Sequence, residues 1–275
     1  MLRRAIVVVL IIGLVCPGDA FARRHRRHAK TRGLPTAMSA LLIDVTSNHY
    51  YYAKNIDRRI FPASTTKIMT VMLAREHLAL DQYVTVGPRA VNVPETKLSV
   101  RPGEQYKVRD LIFAALLKSA NDAANVLAEA AGGSQAGFVE MMNKKAAQIG
   151  ATHTHFTDAH GLPSDDVQYT TARDMMLIFK EAMKDPFILK VLTFKYRILY
   201  SKEGRRFFLK SHNKSLFLNW KQTVLGKTGY THEAQSCFVG YYMKGGHTYI
   251  VDVFGSAKRW EDIKFIIEHY GKIDL

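Results

Sequence analysis

Pro62-Ala63-Ser64-Thr65-Thr66-Lys67-Ile68-Met69-Thr70, running on through Val71-Met72-Leu73 to Leu80, is the stretch on which the reading of this chain turns. Apolar residues fall on most sides of the segment, so it reads as a helix over 65–80 buried in a core rather than laid on a surface. Ser64 falls in the first turn. Lys67, three residues on, shares a helix face with it, and the N-terminus of a helix favours negative charge that develops nearby. Such a pair is either a nucleophile with its base or only a helix cap with an ordinary neighbour.

Two further strings follow in order, Ser119-Ala120-Asn121 and Lys227-Thr228-Gly229. Taken singly, S-x-x-K and S-x-N are weak signals, and the chain carries a decoy, Ser211-His212-Asn213-Lys214, that satisfies both. Lys-Thr-Gly is rarer and occurs downstream of both. Leu111, Ile112, Ala115 and Leu116 mark a helix that runs into Ser119, and a second helical pattern over 123–131 stops at Gly132-Gly133. The S-A-N triplet is therefore expected in a tight connection between helices, projecting into a cleft. Lys227-Thr228-Gly229 is expected on the strand before a hairpin formed by 237–243 and 248–254. At the other end, 40–45 and 50–53 form a hairpin across Thr46-Ser47-Asn48-His49, and an amphipathic helix over 260–270 closes the chain. Strands at both ends with helices between them predict an α+β fold in which the first and last strands meet in one sheet.

Composition narrows the setting. Arg3 and Arg4 precede an apolar run over 5–16, and Ala20-Phe21-Ala22 offers a cleavage site, so residues 1–22 read as an export signal rather than a membrane span. Removing them leaves 37 basic against 23 acidic residues, net +14. Residues 23–36 carry Arg23, Arg24, Arg26, Arg27, Lys30 and Arg32 without apolar periodicity. They read as a disordered basic tail, either merely solvated or in contact with anionic wall polymers or lipid headgroups, with nucleic acid not expected after export. Of the two cysteines only Cys237 survives cleavage, which excludes an intramolecular disulfide. The expected body is one catalytic domain over 37–275, located in the periplasm or the cell wall, with no C-terminal membrane anchor.

With these strings in view, the chain resembles the low-molecular-mass penicillin-binding serine D-alanyl-D-alanine carboxypeptidases, peptidase family S11. The likeness extends over about residues 37–275. It includes Phe156-Thr157-Asp158-Ala159-His160-Gly161-Leu162-Pro163 and Tyr169-Thr170-Thr171-Ala172-Arg173-Asp174, besides Lys227-Thr228-Gly229-Tyr230-Thr231. It implies a β-lactamase/transpeptidase-like fold, an antiparallel sheet flanked by helices and joined to a mainly helical lobe. It also implies that Ser64 attacks the bond between two D-alanines of a peptidoglycan peptide, with Lys67 as base. Ser119 would relay the proton to the leaving group and Asn121 would orient Lys67. The backbone N–H groups of Ser64 and Tyr230 would form the oxyanion hole, and Lys227, Thr228 and Gly229 would bind substrate. β-Lactams would acylate the same serine, and no cofactor is required.

Two departures bear on substrate choice. Gln235-Ser236 follows Ala234 where relatives commonly have Gly, and its side chain is expected to crowd the strand near the cleft. His212 stands where many carboxypeptidases place an Arg near the substrate carboxylate. Cleavage of D,D cross-links, an endopeptidase activity, therefore stays open beside carboxypeptidase activity. A β-lactamase is less favoured, because no E-x-x-L-N string lies between Asn121 and Lys227, and the intact motifs disfavour a non-catalytic wall-binding protein. His153, His155, Asp158 and His160 form the one candidate metal cluster, and they read instead as a structural loop with no metal.

Overall fold

The computed structural model describes residues 34–275 apart from 95, 164 and 165. The export signal at 1–22 and all but the last three residues of the basic tail lie outside the described residues. Two contacts fasten the chain just ahead of residue 37. Asp262 accepts the Thr36 backbone N–H at 2.8 Å and its hydroxyl at 2.7 Å, and Lys54 donates to the Pro35 carbonyl at 3.0 Å.

Both ends of the described chain supply one antiparallel sheet. Strands β1 (Ser39–Asp44) and β2 (His49–Lys54) form the expected first hairpin, and β7 (Leu225–Thr231), β8 (Gln235–Lys244) and β9 (His247–Ser256) supply the rest, in the order β2-β1-β9-β8-β7. Ala40-Leu41-Leu42-Ile43 is apolar at every position because β1 is covered on both faces. Leu41 and Ile43 face a large core shared with the helices, while Ala40 and Leu42 face a smaller one with Phe238, Val251 and Val253. The smaller core is roofed by α7 (Arg259–Phe265) and the π-helical turn Ile266–Tyr270, whose Ile263, Ile266 and Ile267 are fully buried.

The other lobe is mainly helical. Its centre is α1 (Lys67–His77), whose first eight residues are all buried, as an all-round apolar helix requires. Around it pack α3 (Asn121–Gly132), α4 (Gln135–Gln148) and α5 (Ala172–Ala182). The short helices α2 (Val108–Phe113) and α6 (Pro186–Leu192) complete the lobe. Two small hairpins decorate it, β3 (Tyr83–Thr85) with β4 (Gln105–Lys107), and β5 (Tyr196–Tyr200) with β6 (Arg206–Lys210). The expected α+β architecture, with first and last strands adjacent, is the observed one.

One residue works against this core. Asp252 is fully buried on β9, on the face it shares with Ile250 and Phe254, and no donor among the described side chains reaches either carboxylate oxygen. Burial raises its pKa well above the ordinary 3.8. A raised folded-state value means that stability is full at low pH and is lost as pH climbs from the unfolded value through the folded one, at up to about 1.4 kcal/mol per pH unit. Asp252→Asn, which cannot ionise, is expected to flatten that decline, so the gap in denaturation midpoint between variant and parent should widen from pH 4 to pH 7. Parallel pH profiles would show that Asp252 does not carry this cost.

Candidate active site

The site is built where the two lobes meet, from a turn, a helix start, a loop and a strand. Ser64 sits in a 3-10 turn, Ala63–Thr66, that feeds directly into α1. Ala63 is held at φ 46°, a left-handed conformation that a side-chain-bearing residue adopts only when its surroundings enforce it. Enforcement comes from two glycines. Gly161 at φ 88° packs on Ala63 so closely that a Cβ there would lie 1.8 Å from the Ala63 carbonyl oxygen. Gly229 lets β7 run beside the turn, since a Cβ on it would stand 3.0 Å from both Ser64 N and Ala63 Cβ.

Lys67 is fully buried and donates in three directions, to Ser64 Oγ at 2.9 Å, Asn121 Oδ1 at 2.7 Å and the His160 carbonyl at 2.8 Å. These are all the donors an ammonium has. Burial lowers its pKa to about 7, against the opposing pull of the Asp158 and Asp122 carboxylates. Asn121 is positioned by its own helix start, where its N–H bonds the Thr96 carbonyl at 2.8 Å and its amide nitrogen donates to Pro94 O at 3.1 Å. Asp122 fixes the facing loop by accepting the N–H groups of Leu98, Ser99 and Val100.

Ser119 follows a π-helical turn, Ala114–Lys118, and takes a left-handed φ of 63°. The wider turn and the reversed residue swing its hydroxyl toward β7, where the fully enclosed Lys227 donates to Ser119 Oγ at 2.9 Å and to the Thr228 carbonyl at 2.6 Å. Burial, then the neighbouring Lys67 and Arg259, depress the Lys227 pKa well below 10.5. Ser64, Ser119, Thr228 and Gly229 line one cavity of about 780 Å3, together with Tyr230 and His212. The expected site residues are thus brought together from parts of the chain far apart in sequence.

His212 reaches the cavity wall with its ring partly open to solvent. Desolvation by the adjoining walls, followed by Lys227, Lys118, Arg259 and Lys67, pushes its pKa down to about 4, so it is a neutral imidazole at neutral pH. Ser211, the decoy serine, is buried and accepts the Asn213 N–H at 3.2 Å, with no bond to Lys214. The expectation for Gln235 is not met: it lies exposed at the β7–β8 turn at φ 55°, donates to the His232 carbonyl and stays clear of the cavity. Among the described residues no group of His, Cys, Asp or Glu is arranged to hold a metal. His153 and His155 are engaged through their backbones with Asp174 and Tyr169.

Two contributors escaped the sequence reading. One is the His160 carbonyl, aimed at Lys67 because Asp158 Oδ1 accepts the N–H groups of His160 at 2.7 Å and Gly161 at 2.5 Å. The Phe156–Pro163 string marked the loop, but a backbone acceptor has no side-chain signature. The other is Arg259, at the start of α7, which lines the cavity while donating to the carbonyls of Gly229 at 2.9 Å and Cys237 at 2.8 Å. A lone arginine after a strand carries no motif.

Sheet, helical lobe and the lysine-linked serines at their junction define the fold class of the penicillin-binding D,D-peptidases. The chain belongs to the D-alanyl-D-alanine carboxypeptidase family, whose profile matches residues 27–258. It is 31% identical to D-alanyl-D-alanine carboxypeptidase DacF of Bacillus subtilis, over 92% of this chain and 67% of that one. With DacB2 of Mycobacterium tuberculosis it shares 34% identity over 69% of this chain and 65% of that protein. The chain thus spans about two thirds of the length of these relatives. A crystal structure of a D-alanyl-D-alanine carboxypeptidase from Mycobacterium tuberculosis superposes with a TM-score of 0.80 at 28% identity, covering 88% of this chain and 92% of that chain.

The interlock at Ala63 is testable by a pair of substitutions. Gly103 and Gly161 have nearly the same φ, 86° and 88°, but nothing lies within 4 Å of a Cβ at Gly103. Gly103→Ala is expected to cost the backbone penalty alone, about 1–2 kcal/mol, and Gly161→Ala distinctly more in the same denaturant titration. Equal losses would show that Gly161 does not clamp the Ser64 turn.

Proposed function

We propose that this chain is an exported serine D,D-carboxypeptidase that removes the terminal D-alanine from peptidoglycan peptides through an acyl-enzyme on Ser64, and that penicillins acylate the same residue. The observation that carries this reading is the buried Lys67 bonded at once to Ser64 Oγ and Asn121 Oδ1. A serine hydroxyl needs a base, and a lysine held near pH 7 by burial supplies one as a neutral amine.

In the proposed cycle Lys67 takes the Ser64 proton while Oγ attacks the carbonyl carbon between the two D-alanines. Backbone N–H groups of Ser64 and Tyr230 receive the oxyanion. The C–N bond then breaks, with the proton passed by way of Ser119 to the departing amine. Water completes the cycle by hydrolysing the ester and restoring the Ser64 hydroxyl. Lys227, Thr228 and Gly229 hold the substrate, and Arg259 adds a fixed positive charge to the carboxylate end. His212, being neutral, contributes a hydrogen bond rather than a charge. No cofactor enters any step. Export rests on residues 1–22, and contact between the basic tail and anionic wall polymers or lipid rests on residues 23–36. Among the described residues no helix is long and apolar enough to cross a membrane.

Labelled penicillin should attach covalently to the mature protein and to Ser211→Ala, but not to Ser64→Ala; labelling of Ser64→Ala sinks the assignment. The pH dependence tests the base separately. A lysine that acts when deprotonated gives an acylation rate that rises with pH through about 7. Because the Asp158 carboxylate raises the Lys67 pKa, Asp158→Asn should move that rising limb to lower pH. A limb that stays in place would remove Asp158 from the electrostatics, and parental acylation by Lys67→Arg would remove Lys67 from the base role.

A further inference from the structure

The hairpin β5–β6 presents an unusual outer face beside the cavity. Leu199 and Leu209 point inward and are buried, whereas Tyr196, Tyr200 and Phe208 on the other face are 47%, 54% and 58% exposed. Exposed aromatic rings gathered on one face of a ribbon mark an interaction surface. Tyr196 stacks on Phe208 with ring centroids 5.5 Å apart and meets Phe217 edge-on at 5.6 Å. The ammonium groups of Lys195 and Lys210 lie 5.8 and 5.4 Å from the centre of the Phe217 ring. Phe208, Lys210, Lys214 and Phe217 then continue into the wall of the cavity that holds Ser64.

Charge and position say what would occupy this face. Among the described residues the cavity lining includes Lys118, Lys210, Lys214 and Arg259 and no acidic residue. Among the described residues Lys118, Lys210 and Lys214 make no ion pair. A surface of uncompensated cations set among aromatic rings is complementary to a chain that carries carboxylates on an apolar backbone. The hairpin lies on the leaving-group side, because it is tied to the segment that delivers Ser119. The His212 N–H bonds Leu117 O at 3.0 Å, and the Ser211 N–H bonds Lys195 O at 2.9 Å. A separate hollow, lined by Phe61, Leu162, Val167 and Thr231 among others, has only about 210 Å3. Release of D-alanine, among the smallest of amino acids, requires no large cavity on its own side.

We propose that the outward face of β5–β6, with Phe217, is a leaving-chain subsite that binds an acidic peptide attached through the side chain of the residue expelled when Ser64 is acylated. The inference rests on the acyl-transfer reading given above. The bonds exchanged are the same: the Ser64 ester forms, the C–N bond breaks, the serine proton ends on the departing amine, and water regenerates the hydroxyl. The leaving residue keeps its own carboxylate for Lys227 and Thr228 while its side chain leads the second peptide over Phe208 and Lys210. The hairpin thereby admits a bond between two chains as a substrate beside the bond at a free end.

The test compares two substrates of the mature protein with the same acyl half: a D-alanyl-D-alanine peptide, and a D,D-cross-linked peptide dimer whose leaving half carries free carboxylates. The double variant Phe208→Ser/Lys210→Gln should retain parental kcat/KM on the first within about twofold and lose about tenfold or more on the second, mainly through KM, as loss of an aromatic contact and an ion contact predicts. Amidating the carboxylates of the leaving half should cost the parent several-fold and the double variant little. An unaltered penicillin acylation rate verifies that the variant is folded. A proportional loss on both substrates would reduce the hairpin to a structural support, and no loss on either would abolish the subsite. Loss of binding to anionic phospholipid vesicles with dimer cleavage intact would reassign the face to lipid. A parent that trims the short peptide but leaves the dimer whole overturns this inference alone, whereas a parent that turns over neither and resists penicillin overturns the catalytic reading beneath it.

Discussion

A lysine ammonium with no access to water is the constraint around which the molecule is arranged. Burying such a group without partners costs several kcal/mol, and Lys67 escapes that cost only because three separate parts of the chain each present one acceptor to it. The turn before α1 brings a hydroxyl, the start of α3 an amide oxygen and the 158–161 loop a carbonyl. Each is held by its own network, with Asp122 bracing one side and Asp158 the other. The lysine is thus poised rather than neutralised. Desolvation disfavours the charged form, the Asp158 and Asp122 carboxylates favour it, and the balance leaves the Lys67 pKa at about 7.

The second lysine extends the same logic. Lys227 is enclosed as deeply, and its bond to Ser119 links the strand side of the cleft to the helical side. Two ammonium groups kept out of water in one site repel each other. Lys67 thereby makes the neutral state of Lys227 easier to reach. Arg259 stays positive beside them, so that wall of the cleft keeps a permanent charge.

Much of this was legible from residue order. The Thr65–Leu80 run became the buried α1 because an apolar pattern on every side has only one stable location. Ala40–Ile43 became a central strand for the same reason. Helix α5 has a readable start, since Thr171 accepts the Asp174 N–H at 3.0 Å as a cap should. The β5–β6 hairpin left no alternating signal because aromatic and apolar residues sit on both its faces. Ala63 and Ser119 hold left-handed conformations that no local preference suggests; tertiary contacts impose them. The crowding expected of Gln235 failed because a turn geometry, invisible in sequence, carried its side chain away from the cleft.

Strand β1 pairs along its length with β9, joining Ser39 to Phe254 and Asp44 to Tyr249. A pairing between opposite ends of the chain has a high loop-closure cost and sets a slow pace for folding. The contact between Gly229 and the Ser64 turn likewise joins distant parts of the chain. Ser64, encoded in the first quarter of the polypeptide, therefore depends for the neighbours that fix its turn on a strand near the other end of the sequence.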